Sequence, residues 1–211
     1  MGIIRETYLK PDAYLAFWKI DEDFDTLYNM VNLTREEEQL LHGFKSPKRQ
    51  LEWLSVRLLV RHMTGKPNRI VYNGQRKPFL EDQSHQISIS HSDDLTAVFL
   101  SEKHLVGIDL EKQSHKIQRI AYKFINDQEY INMTDVEMEE YHLYIHWCIK
   151  EAIYKICDKQ DINFKENIFV EHFTPESAGS VKARLDNIHG VTDFDVHYEK
   201  LGQHVIAWCL Q

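Results

Sequence analysis

The spacing of apolar positions along this chain changes from helical to strand-like and back, and it predicts the elements in order. Residues 13–20 (AYLAFWKI) form a run of aliphatic and aromatic residues of strand length. Thr34 with Glu37 makes a T-x-x-E capping box that opens a short helix, which Gly43 ends. Ser46-Pro47 then supplies an N-cap and a first-turn proline. Leu51, Leu54, Leu58 and Leu59 follow at helical spacing, and Gly65-Lys66-Pro67 closes that helix. Strands are expected over residues 69–72, 86–90, 96–101 and 105–110, with a turn at Asn73-Gly74. A helix is expected over residues 117–124. Asn126 with Glu129 caps a further short one, and Thr134 with Glu137 opens a long helix running to about Cys157. Short strands over 169–172, 181–185, 195–198 and 204–210 complete the chain.

The sequence of strand, helices and several strands occurs twice, the second round starting near Val106. No residue-level identity accompanies the repetition, so it is a repeat of architecture. The fold expected is α+β, in two similar halves covering residues 1–104 and 105–211, with a site in the cleft between them.

Composition narrows the function classes. The 211 residues are 43% hydrophobic, enough for a core, and carry a formal net charge of −8, which argues against a nucleic-acid partner. Cys148, Cys157 and Cys209 are odd in number and show no CxxC spacing, so neither a disulfide framework nor a cysteine zinc site is expected. The first ten residues include Arg5, Glu6 and Lys10 and lack a signal-peptide core, and no run approaches the roughly 18 apolar residues of a membrane span. The expectation is a soluble cytoplasmic protein with reduced thiols.

Candidate chemistry concentrates in two segments. In Val106-Gly107-Ile108-Asp109-Leu110-Glu111 the carboxylates are two apart, which on a strand places them on one face. In Trp147-Cys148-Ile149-Lys150-Glu151-Ala152 with Lys155, Glu151 and Lys155 share a helix face. Three carboxylates and a lysine can converge into a hard-cation site beside a place for phosphate. The plainer alternatives are a solvated strand end and a surface i,i+4 ion pair.

Other candidates weigh less. Ser90-His91 ends an alternating strand and can donate to phosphate; as a nucleophile pair it fails, since neighbours on a strand face opposite ways and no G-x-S-x-G elbow is present. Arg76-Lys77-Pro78 supplies cations after a turn. His142 and His146 have H-x-x-x-H spacing but no evident third ligand, and are expected on the helix surface or partly buried. Neither a P-loop nor a G-x-G-x-x-G fingerprint occurs.

Three of these pieces together resemble the 4′-phosphopantetheinyl transferases of the surfactin-synthetase-activating type. Ile89-Ser90-His91-Ser92 resembles the family's I-S-H-S/T element, Val106 to Glu111 its (V/I)-G-(I/V)-D-(I/L)-E element, and Trp147 to Ala152 with Lys155 its W-x-x-K-E-(A/S)-x-x-K element. Order and separation agree as well, over roughly Asn73 to Asp158. The resemblance implies a monomer of two pseudo-twofold related halves. It implies transfer of the phosphopantetheine arm of coenzyme A to a serine of an apo acyl or peptidyl carrier protein, with release of 3′,5′-adenosine bisphosphate. It implies magnesium held by Asp109, Glu111 and Glu151, with Glu151 or a metal-bound water as the base. Lys155 and His91 would contact the pyrophosphate, and Ser90 and Lys77 the 3′-phosphate.

Two features depart from the family pattern. The G-K-P element is interrupted, Gln75-Arg76 standing between Gly74 and Lys77-Pro78, so either Arg76 or Lys77 could meet the phosphate. Arg49 and Arg57 lie on the helix expected to supply N-terminal cations, but Glu52 sits among them. The competing readings are a non-catalytic coenzyme A or nucleotide-binding module, which would not need the three carboxylates, and a magnesium-dependent phosphatase or nuclease.

Overall fold

The computed structural model describes residues 2–10, 12–157 and 162–211. Asp158, where the motif-bearing stretch ends, lies outside the described residues. The chain divides into two compact units, Met1–Lys103 and His104–Gln211. Both mix helix and antiparallel sheet, so the class is α+β.

In the first unit β1 (Ile3–Lys10), β2 (Ala13–Lys19), β5 (Gln86–Ser92) and β6 (Leu95–Ser101) form one sheet in the order β1-β2-β6-β5. Helices α1 (Phe24–Met30), α2 (Arg35–Gly43) and α3 (Pro47–Thr64) intervene, and β3 (Ile70–Tyr72) pairs with β4 (Pro78–Leu80) as a separate hairpin. Local chemistry sets the helix ends. Thr34 and Glu37 form the reciprocal capping box of α2. Ser46 caps α3, Pro47 opens it, and Gly65 ends it at φ 68°, a left-handed conformation that glycine adopts without a Cβ clash. Leu54 and Leu59 of α3 join Ala16, Trp18, Val98 and Leu100 of β2 and β6 in the core.

In the second unit β7 (Val106–Lys112), β8 (Ile168–Val170), β9 (Ala178–Asn187), β10 (Gly190–Leu201) and β11 (His204–Leu210) pair in the order β7-β11-β10-β9-β8. Helix α4 (Val136–Ile156) packs on β7 and β11, and α5 (Phe164–Asn167) is a single turn. The two units share a plan. The strand before the long helix pairs with the last strand of the unit, β2 with β6 and β7 with β11, and the helix lies on that pair.

Four local expectations change. The helix expected over 117–124 is a 3₁₀ turn, Ile117–Lys123. Asn126 with Glu129 caps no helix. Glu129 accepts from the Asn126 N–H at 2.7 Å, but its carboxylate is drawn into the core by Lys150 and by the Val170 N–H, both at 2.8 Å. Asp135, not Thr134, caps α4, accepting from Met138 N at 2.8 Å. His142 and His146 are fully buried, against Phe173. Among the described residues no helix is long and apolar enough to cross a membrane.

Candidate functional site

The chemistry of the second unit follows from a close approach. A Cβ on Gly107 would lie 2.0 Å from the Ala152 carbonyl oxygen, so only glycine lets β7 run this near α4. Gly107, Asp109 and Glu111 alternate onto the strand face that α4 covers. Asp109 is buried there, and Lys155, near the C-terminal end of α4, reaches across to it: Nζ lies 2.7 Å from Asp109 Oδ1 and 2.9 Å from the Ile108 carbonyl. Trp147 Nε1 stands 3.4 Å from Glu111 Oε1, with its ring edge-on to Phe124.

Glu151 lies on α4 one turn before Lys155. Burial, with Asp109 and then Glu111 adding negative charge against the pull of Lys155, pushes Glu151 up to about 7. Three carboxylates thus act on one another with one lysine among them. Lys150, next in sequence, has a different task. It is fully buried, donating to Glu129 Oε2 at 2.8 Å and to the carbonyls of Phe124 and Phe164 at 2.6 and 3.1 Å. Burial pushes Glu129 up, but His146 and Lys150 beside it outweigh that and hold it below the ordinary carboxylate range. The motif lysine therefore anchors the loop before α4, and its partner Glu129 is the residue that reading the sequence as a cap missed. A lysine on the apolar side of a helix, needing a buried anion, was the available signal.

In the first unit Ser90 is buried in β5 and His91 is half-buried beside it. Arg49, in the first turn of α3, donates to His91 Nε2 and, at 3.2 Å, to Glu52 Oε2. His91 Nδ1 lies 3.2 Å from the same Glu52 oxygen. Arg57 is placed otherwise. It is buried, pairs with Glu37 Oε1 at 3.2 Å and stacks on Trp53, so it ties α3 to the α2 cap. Burial lowers it to about 10, against the pull of Tyr72 and Glu37. It also lines a cavity of about 540 Å³ with Arg61, Lys66 and Arg69. These cations are already engaged, Lys66 by Asp82, Arg69 by Glu81 and Arg61 by the Met30 carbonyl. Arg76 and Lys77 occupy the β3–β4 turn, where Arg76 takes φ 64° and Asn73 Oδ1 accepts the Lys77 N–H at 2.9 Å.

Among the described residues no three His, Cys, Asp or Glu side chains stand ready as a metal cage. His142, which accepts from Asn132 N, is driven by burial to about 3, and His146 is also lowered by burial. The carboxylates fit a cation better. Asp109, Glu111 and Glu151 are hard oxygen donors of the kind magnesium takes, and their mutual repulsion is what a cation would relieve.

The family model of the 4′-phosphopantetheinyl transferase superfamily matches residues 105–209, the segment that carries this cluster. The second unit belongs to the 4′-phosphopantetheinyl transferase superfamily. The chain is also similar to the 4′-phosphopantetheinyl transferase gsp of Aneurinibacillus migulanus, 28% identical over 157 residues. That match takes in 69% of this chain and spans 65% of the relative's length. For a superfamily member, the glycine and the two acids of β7 and the Lys150-Glu151 pair of α4 are separable in role: the glycine sets the approach, Lys150 the loop, and the three acids the charge.

Proposed function

We propose that the chain transfers the 4′-phosphopantetheine group of coenzyme A to a serine of an apo acyl or peptidyl carrier protein, releasing 3′,5′-adenosine bisphosphate. The observation that carries this reading is the grouping of Asp109, Glu111 and Glu151 with Lys155 at the β7–α4 approach, inside the family match. Phosphoryl transfer needs positioning and charge stabilisation more than covalent chemistry. In the proposed reaction the serine oxygen attacks the β-phosphorus, the bond from that phosphorus to the bridging oxygen breaks, and the bisphosphate leaves with the electron pair. Glu151, on α4 beside Asp109 and Glu111, is proposed to take the serine proton. Magnesium held by Asp109, Glu111 and Glu151 would supply positive charge against the pyrophosphate. Lys155 adds a cation there.

For the first unit we propose contacts to coenzyme A phosphates: His91 and Arg49 for the pyrophosphate, and Ser90, Lys77 and Arg76 for the 3′-phosphate. Arg57 is left out, its guanidinium being held by Glu37 and Trp53. A monomeric, cytoplasmic enzyme without a nucleic-acid partner is part of the proposal; the net charge of −8 supports the last point. Mass spectrometry of apo-carriers incubated with the chain, coenzyme A and magnesium tests it. A carrier serine gaining phosphopantetheine is the expected result. Coenzyme A binding with no carrier modified would instead identify a binding module.

A further inference from the structure

Glu52 looks misplaced in a helix meant to meet phosphates, but its surroundings give it a use. Its side chain is 9% exposed, whereas those of Arg49 and His91, which it contacts, are 37% and 35% exposed. One oxygen, Oε2, lies 3.2 Å from both Arg49 Nη1 and His91 Nδ1. Arg49 in turn donates to the other ring nitrogen of His91, Nε2. Guanidinium can only donate and an ionised carboxylate can only accept. A neutral His91 ring between them therefore has one arrangement, with the proton on Nδ1 facing Glu52 and the lone pair of Nε2 facing Arg49. The Glu52 carboxylate thereby sets the tautomer of His91, and it fixes the ring and the Arg49 guanidinium against each other.

We infer that Glu52 is a positioning residue for the anionic groups of coenzyme A: from α3 it holds His91 by Nδ1 and Arg49 by one N–H. With Nε2 of His91 accepting from Arg49, the remaining Arg49 donors are held in place for a phosphate. This rests on the coenzyme A reading above. The opposing reading is that Glu52 merely ties α3 to β5. Holding the Arg49 guanidinium against a fixed ring before the ligand arrives lowers the ordering cost of binding. It also explains a carboxylate at this place on α3: without it the Nδ1–H of His91 would lose the acceptor that faces it.

The test uses the full chain labelled with ¹⁵N-histidine. In the wild type the His91 signals should report the Nδ1–H tautomer without any ligand. In Glu52→Met, which keeps the volume and removes the acceptor, that single tautomer should be lost. KM for coenzyme A should rise roughly ten- to a hundredfold, the range for losing charge-assisted contacts, with kcat changing much less. Glu52→Gln keeps an acceptor oxygen and should restore most of the tautomer signature, and it serves as the folded control if Glu52→Met does not fold. A wild-type ring protonated on Nε2, or a Glu52→Met protein with unchanged tautomer and unchanged KM, would overturn the inference. If the wild type does not bind coenzyme A at all, the functional reading fails while the tautomer result still stands or falls by itself.

Discussion

The two units place a long helix on a pair of antiparallel strands in the same way and treat charge in opposite ways. On β2 the residues are AYLAFWK, and the cations of α3 find partners within their own unit: Arg57 with Glu37, and Arg49 with Glu52, which also faces His91 of β5. On β7 the face toward α4 carries Asp109 and Glu111, and α4 adds Glu151, with Lys155 as the cation among them. One plan therefore yields basic groups steadied by carboxylates, and elsewhere a set of carboxylates that act on one another. Shared topology fixes where side chains can meet; which charges they carry is a matter of a few residues.

The largest expected break in this contrast is Asp109→Ala. Removing that carboxylate takes a contact from Lys155 and a third of the acidic set. Carrier modification in a single-turnover assay should fall by at least ~10²–10³-fold, the cost of losing one well-placed electrostatic group. Circular dichroism and the melting transition should stay close to wild type, because β7 keeps Gly107 and its ladder to β11. Near-normal turnover would remove Asp109 from the site.

Glu151→Gln sharpens the contrast within the acidic set. Coenzyme A affinity by calorimetry should hold, while the transfer rate at saturating coenzyme A should drop ~10²–10⁴-fold if Glu151 takes the proton. Its raised proton affinity gives a second readout. The folded chain holds the Glu151 proton up to about 7, whereas the unfolded chain releases it near the ordinary value of 4.5. Between those values the folded state binds more protons, so this group's contribution to stability falls as pH rises through that window. Glu151→Gln should accordingly show a flatter loss of stability from pH 5 to pH 8 in denaturant titrations. An unchanged rate together with an unchanged pH slope would return Glu151 to a surface role.

Neighbouring lysines of α4 offer a test of moderate size. Lys150→Ala strands Glu129 in the core and should cost about 3–5 kcal/mol of stability, as breaking a buried pair does. Lys155→Ala should cost far less stability, its side chain being partly exposed, and should act mainly on transfer. Denaturant midpoints for the two variants, read beside their transfer rates, separate the roles. Equal destabilisation would erase the distinction.

What the sequence disclosed follows from how local each cause is. Ser46-Pro47, Gly65 and the Thr34–Glu37 box act within a few residues, and the helices start and stop there. The Asp109–Glu111 spacing was legible for the same reason, since alternation on a strand requires no knowledge of the partner. β1 was missed because Arg5, Glu6 and Lys10 interrupt its apolar pattern, as suits an edge strand that must resist further pairing. Glu52, Glu129, His142 and His146 were misjudged because their partners lie far off in sequence: His91 is 39 residues from Glu52 and Lys150 is 21 from Glu129. A buried carboxylate and a surface one look alike in a one-dimensional pattern.

The smallest effects concern the two helix caps. Ser46 Oγ accepts from Arg49 N at 3.4 Å, a long contact, whereas Asp135 Oδ1 accepts from Met138 N at 2.8 Å and brings a negative charge to the positive end of α4. Asp135→Ala should cost about 1 kcal/mol of stability and Ser46→Ala about 0.5 kcal/mol, the middle and lower end for N-caps. Function should rank them the other way. The Ser46 cap holds the backbone of Arg49, which reaches His91, while α4 keeps its acids near the opposite end, at Glu151, about four turns from Asp135. Fraying the first turn of α3 should therefore weaken coenzyme A binding slightly, and fraying that of α4 should leave it unchanged. Melting curves and calorimetry on both variants decide it; a coenzyme A affinity that fell in Asp135→Ala but not in Ser46→Ala would show that the cation set does not depend on the start of α3.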